Sequence, residues 1–217
     1  MTYRQLLALL FACLFLGQAN AQVKITEGPS PKEKKELRER KELIDLISKL
    51  RAMPGMKKYI TVQGFLTQAI IVRDELVGFG VFAGTIWQIN PDGSYVVTHI
   101  AQRKRFLGGR GKISPRAVLD LAVILKNNDV LSLPSGGLDG RVNPHRTTIS
   151  FGGRQAVLVL GVDQTLPVGD VTKPAANISG RYAGIITAVQ GLAKTNILAR
   201  PPVPGIRAGR RMGVGRR

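Results

Sequence analysis

The sequence predicts an α+β domain: an antiparallel sheet from two hairpin-helix (ββα) units, with the helices packed on one face. Two observations carry this expectation. Short alternating, β-branched runs come in pairs joined by glycine-containing turns, at Pro91-Asp92-Gly93 and again at Gly152-Gly153. Each pair is followed by a stretch with helical apolar spacing, first after Ser114 and then after Ser179. The two units share no residue-level identity, so the echo is one of architecture.

Before that domain, residues 1–21 read as a secretory signal. Arg4 supplies the positive start, Leu6 to Leu16 the apolar core, and Ala19-Asn20-Ala21 the small residues that a signal peptidase reads. The core is shorter than the roughly 20 apolar residues of a membrane helix. The expectation is cleavage after Ala21, a secreted, periplasmic or cell-envelope address, and no transmembrane span in what remains. Cleavage removes Cys13, the only cysteine, so the mature chain has neither a disulfide nor a thiolate ligand or nucleophile. Residues 22–29 then read as a short flexible lead.

Residues 30–53 are expected to form a charged helix. Ser30-Pro31-Lys32-Glu33 combines a capping serine, proline at the first helical position and a glutamate three residues after the cap. The first half is almost entirely charged. In the second half Leu43, Ile47 and Leu50 share a face, with Leu46 beside them, and Pro54-Gly55 stops the helix.

The α+β domain is placed at residues 59–198. Tyr59 to Phe65 and Ala69 to Val72 are β-branched and strand-like, with no pairing evident from sequence. Thr85 to Asn90 and Ser94 to Ile100 alternate as the two arms of a hairpin. A basic, glycine-rich loop comes next, carrying Arg103, Lys104, Arg105, Arg110 and Lys112 around Gly108, Gly109 and Gly111. It reads as a flexible β-to-α connection. Ser114-Pro115 opens a helix whose broad apolar face is Val118, Leu119, Leu121, Ala122, Ile124 and Leu125, ended by Asn127-Asn128. The second unit places strands at Arg146 to Phe151 and Gln155 to Leu160. Its helix is expected to start from Ser179 and to present Tyr182, Ile185, Ile186, Val189 and Leu192. Residues 199–217, rich in Arg, Gly and Pro, have no periodicity and are expected to be disordered.

From Gly78 to about Leu192 the layout is similar to the emfourin family, small protein inhibitors of thermolysin-like metallopeptidases. The residues that carry the likeness are Phe82-Ala83-Gly84, Trp87-Gln88-Ile89, Asp92-Gly93, Gly111-Lys112-Ile113-Ser114, Leu121, Leu125 and Leu131-Ser132-Leu133-Pro134. The resemblance implies peptidase inhibition as an alternative function. It transfers no inhibitory residue.

Charge narrows the function classes further. The full chain carries a formal +18, and loss of Arg4 with the signal leaves +17. Residues 200–217 hold six arginines and no acid. Such a field attracts an anionic surface, a wall polymer or an acidic protein, while export argues against nucleic acid. The candidate anion-binding residues are Arg103, Lys104, Arg105, Arg110 and Lys112, with Arg200, Arg207, Arg210, Arg211, Arg216 and Arg217 of the tail. No catalytic residue, metal site or cofactor is assigned. The sequence has no H-E-x-x-H motif and no G-x-S-x-G elbow, and Ile113 separates Lys112 from Ser114 where a nucleotide P-loop has Lys-Ser/Thr. A hydrolase, the third reading, would require His99 or His145 to converge with acids in one cleft. The leading expectation is an exported binding protein without catalysis.

Overall fold

A computed structural model describes residues 30–78, 81–102, 104–137, 144–161, 166 and 175–193. The signal segment, the lead at 22–29, Arg103 and the arginine tail lie outside them. The chain divides into two compact units, up to Glu42 and from Leu43 onward.

Helix α1 runs from Pro31 to Ala52. Its start is the reciprocal capping box that the sequence predicts: Glu33 N–H donates to Ser30 Oγ at 3.3 Å, and Ser30 N–H to Glu33 Oε2 at 2.6 Å. These bonds from the Ser30 backbone and hydroxyl hold the Glu33 carboxyl below its ordinary range. Residues 31–42 are exposed throughout, as their composition dictates. Within the second unit, Ile47 is buried and Leu43, Leu46 and Leu50 pack beside it on the core, the face expected from their spacing.

The second unit is the α+β fold. Seven strands form one sheet: β1 Ile70–Gly78, β2 Val81–Ile89, β3 Ser94–Ala101, β4 Lys104–Lys112, β5 Gly136–Gly137, β6 His145–Phe151 and β7 Arg154–Leu160. Their order across the sheet is β4-β3-β2-β1-β6-β7-β5. Every pairing is antiparallel except the short parallel contact of β5 with β7. Helix α2 (Pro115–Asn127) follows β4, and α3 (Ile178–Leu192) comes after β7. The two hairpin-helix units are present as β2-β3-α2 and β6-β7-α3, and the first is extended by β1 and β4.

Turn chemistry matches the sequence closely. Gly152 and Gly153, at φ of 61° and 74°, join β6 to β7 through two positions that favour glycine. In the β2-β3 turn, Asp92 Oδ1 accepts from Ser94 Oγ at 2.7 Å and Ser94 N–H at 3.1 Å. Those bonds lower the Asp92 pKa. Ser114 caps α2 by accepting from Ala117 N–H at 3.2 Å. The cap of α3 differs from expectation: Asn177 accepts from Gly180 N–H at 2.6 Å, and Ser179 is already inside the helix. Asparagine is at least as good a cap as serine, so the helix begins at the first competent residue.

Two further expectations are corrected. Tyr59 to Phe65 is no strand; the chain makes a 3₁₀ turn at Met56–Lys58 and one isolated bridge, Ile60 to Leu66. Its apolar residues Met56, Tyr59, Ile60 and Leu66 are buried in the core, and Tyr59 stacks on Phe151 with ring centroids 5.9 Å apart. The glycine-rich basic segment is likewise no loop. It is β4, paired with β3 along its length, with a register shift between Val97 and Thr98 that leaves Gly108 unpaired as a bulge.

The sheet residues in the hydrophobic core all lie on one face: Ile70 and Val72, Ile89 and Trp87, Tyr95, Ile149 and Phe151, and Ala156, Leu158 and Leu160. Val118, Leu119, Leu121, Ala122 and Leu125 of α2 and Tyr182, Ile185, Ile186, Ala188 and Val189 of α3 complete that core. The helices therefore cover a single face. Among the described residues no helix is long and apolar enough to cross a membrane.

Arg181 clamps the two helices together. Its Nε donates to Asn128 O at 2.8 Å and its Nη2 to Asp129 O at 2.9 Å, both at the C-terminal end of α2, where the helix dipole favours a cation. Tyr182 OH donates to Pro134 O at 3.2 Å, and burial pushes this phenol up to about 12. Hydrogen bonds from a charged group contribute about 1.5–3 kcal/mol each, with partners left dry costing more. Replacing Arg181 with Met should therefore lower the unfolding free energy by about 2–4 kcal/mol in urea titrations, while Arg116→Met, on an exposed ion pair with Asp120, should change it by less than about 1 kcal/mol.

Candidate functional site

Strand β1 reads Ile-Ile-Val-Arg-Asp-Glu-Leu-Val-Gly, and its alternation places Asp74 on the same face as the core residues Ile70 and Val72. A carboxylate in that position requires polar neighbours. The register provides them. Asp74 lies opposite Thr85 on β2 and Thr147 on β6, and Thr85 lies opposite His99 on β3. A polar row thus crosses four strands. His145 Nε2 is 2.5 Å from Asp74 Oδ1, the same oxygen that accepts from Thr147 Oγ1 at 3.2 Å. Thr85 Oγ1 and His99 Nδ1 are 3.1 Å apart. Thr147 and Thr85 are buried, whereas the His145 and Asp74 side chains keep 27% and 30% of their surface exposed.

Both histidines singled out by sequence therefore lie on one face, one of them against an acid. They are not arranged as a hydrolytic relay. A relay needs hydroxyl, imidazole and carboxylate in series on one ring, but here the hydroxyl of Thr85 meets His99 and the carboxylate of Asp74 meets His145. Among the described residues no group of three or more His, Cys, Asp or Glu side chains gathers at a metal-binding spacing.

The hydrogen bond to Asp74 raises the His145 pKa above its ordinary value of 6.5; burial opposes the shift and the Asp74 charge adds to it. A group whose folded pKa is raised stabilises the fold fully below its unfolded pKa, and that stabilisation is lost as pH rises through the folded value. The protein should accordingly lose stability as pH rises above the ordinary imidazole value of 6.5, and His145→Asn should flatten that loss when urea midpoints measured below and above that pH are compared.

The basic candidates are divided between the two faces. Along β4, Arg105 lies opposite Ile100 and Arg110 opposite Val96, on the face away from the helices, while Lys104 lies opposite Ala101 on the helix side. All four described candidates, Lys104, Arg105, Arg110 and Lys112, are exposed. Lys112 Nζ pairs with Asp92 Oδ2 at 3.4 Å. Arg103, Arg200, Arg207, Arg210, Arg211, Arg216 and Arg217 lie outside the described residues.

Sequence reading passed over two cations. Arg73 of β1 shares a cross-strand row with Ile86, Thr98 and Leu107, and Arg146 of β6 lies opposite Glu75 in the row that ends at Arg105. The open face therefore gathers Arg73, Arg105, Arg110 and Arg146. Glu75, 8% exposed, is the one acid among its described strand residues. β4 is three strand spacings from β1 and four from β6, so the charges cover a width of about 14–19 Å.

The glycines of β4 explain how so basic and glycine-rich a segment remains a strand. The His99 ring lies over Gly108, where a Cβ would stand 2.6 Å from its Nε2, and the Tyr95 ring lies over Gly111, where a Cβ would be 2.7 Å from its hydroxyl. Rings from β3 cover what the glycines lack. A cleft of about 90 Å³ between Leu43, Ile47, Phe65, Val118 and Leu119, with the Asp92–Lys112 pair on its lining, falls well below the size of an ordinary small-molecule site, about 300–1,000 Å³. No protein-family model matches the chain, and a search of the curated proteins returns no match.

Proposed function

We propose that this is an exported interaction protein, without catalysis, that contacts an anionic partner through the open face of its sheet. The observation that carries this reading is the gathering of Arg73, Arg105, Arg110 and Arg146 on the face that the helices leave uncovered, with one buried-side carboxylate among them. Fixed on paired strands, these guanidiniums present forked donors to phosphate or carboxylate groups at defined spacing. The +17 charge that remains once Arg4 leaves with the signal adds long-range attraction, and an array spread across strands suits a surface or polymer better than a small molecule, which would need a concave site. The arginines of residues 200–217 supply a second, multivalent point of contact in this reading.

Co-sedimentation with vesicles containing anionic lipid, and with anionic cell-wall fragments, tests the proposal. Replacing Arg73, Arg105, Arg110 and Arg146 together by Gln should weaken binding about tenfold or more and flatten its salt dependence. Deleting residues 200–217 should weaken it further. Binding that is indifferent both to salt and to the four substitutions would remove the reading.

A further inference from the structure

We propose that the outer edge of β4 is a docking site for an extended acidic segment of another protein, which joins the sheet as an additional strand. This rests on the anionic-partner reading and assigns the partner's chemistry at a different surface, the sheet edge.

Among the described residues β4 ends the sheet. Its inner edge is hydrogen-bonded to β3, so its outer edge offers a row of backbone donors and acceptors. Exposed edges are ordinarily short or blunted by charge and proline. β4 carries such charge in Lys104, Arg105, Arg110 and Lys112 and a bulge at Gly108, which disfavour pairing with a like-charged strand. But it is nine residues long, contains no proline, and exposes two adjacent apolar side chains at its middle: Phe106 at 40% and Leu107 at 57%. These alternate across the pleat, Phe106 on the helix side with His99 and Leu107 on the open face with Thr98. A strand added at this edge would therefore find an apolar contact on each face of the sheet.

Charge selects the occupant. Lys104 and Arg105 lie on one side of the apolar pair, Arg110 and Lys112 on the other, and neither β4 nor β3 contains an acidic residue. A second copy of the chain pairing antiparallel about the centre of β4 would set Lys104 against Lys112, and like charges directly opposite are destabilising. The chain's own residues 200–217, with six arginines and no acid, are equally mismatched. The complement is a segment with β-branched or apolar residues at its centre and Asp or Glu at both ends. Main-chain hydrogen bonds would supply affinity, and the flanking charges would set register and orientation. The bulge at Gly108 interrupts the ladder, so backbone pairing is confined to a short run that includes Lys104–Leu107, and Arg110 and Lys112 meet the far acidic end of the segment through their side chains alone.

Fluorescence anisotropy with a labelled peptide tests this, using Thr-Val-Thr-Val flanked at each end by Glu-Asp. Three further probes are the same peptide with alternate backbone amides N-methylated, the peptide with Lys for every acid, and anionic vesicles. The acidic peptide should bind the purified protein at least about tenfold more tightly than either altered peptide, and the outward-facing amides within residues 104–107 should gain protection from hydrogen exchange. Leu107→Thr, which keeps a good strand former, should weaken the peptide while vesicle binding persists. Equal binding of the N-methylated peptide would overturn strand addition and leave a purely electrostatic contact. Vesicle binding without peptide binding would overturn the edge proposal alone, whereas loss of both would also remove the reading on which it rests.

Discussion

The double pairing of β1 is the constraint on which the rest of the domain depends. This strand bonds to β2 on one side and to β6 on the other, and so joins a four-strand meander to the second hairpin in one continuous sheet. A one-residue slip would turn Ile70 and Val72 out of the core and bring Arg73 and Glu75 into it. The correct register carries Asp74 to the inner side along with them. The contacts from His145 and Thr147 are the local accommodation of that carboxylate, and the arginines of the open face are the other consequence of the same alternation. Inner polar row and outer basic array are two sides of one register.

Much of the fold was legible because its signals are local. The capping box of α1, the Ser114-Pro115 start of α2, the paired glycines before β7 and the apolar spacing of all three helices each need only a few neighbouring residues to act. What escaped depends on distant partners. β1 looks like a short apolar run broken by Arg73-Asp74-Glu75, and only the flanking strands make a nine-residue strand of it. β4 has the composition of a loop, and the rings of His99 and Tyr95 make its glycines into a paired surface. In the opposite sense, Tyr59 to Phe65 has strand-forming residues, but Tyr59 and Ile60 are buried in the core while Val62 and Phe65 stay exposed, and no strand forms.

The candidate sites were legible only in part, for the same reason. His99 and His145 drew attention as the two histidines of the chain, but Asp74 is 71 residues away from His145 in sequence and nothing near either one announces the contact. Of the basic residues expected to act together, Arg105 and Arg110 do share a face, while Lys104 is turned to the other. Arg73 and Arg146, isolated in sequence, join them through cross-strand geometry. Clustering along the chain was a poor guide to clustering in space, since a strand divides its neighbours between two faces.

The rings laid over Gly108 and Gly111 also shape how this edge can diverge. Any side chain at these two positions would meet the His99 or Tyr95 ring, while Lys104, Arg105, Phe106, Leu107 and Arg110 extend into open space. Variation compatible with folding is thereby channelled into the side chains that an incoming molecule would touch. The strand holds its backbone constant and leaves its exposed side chains free to vary.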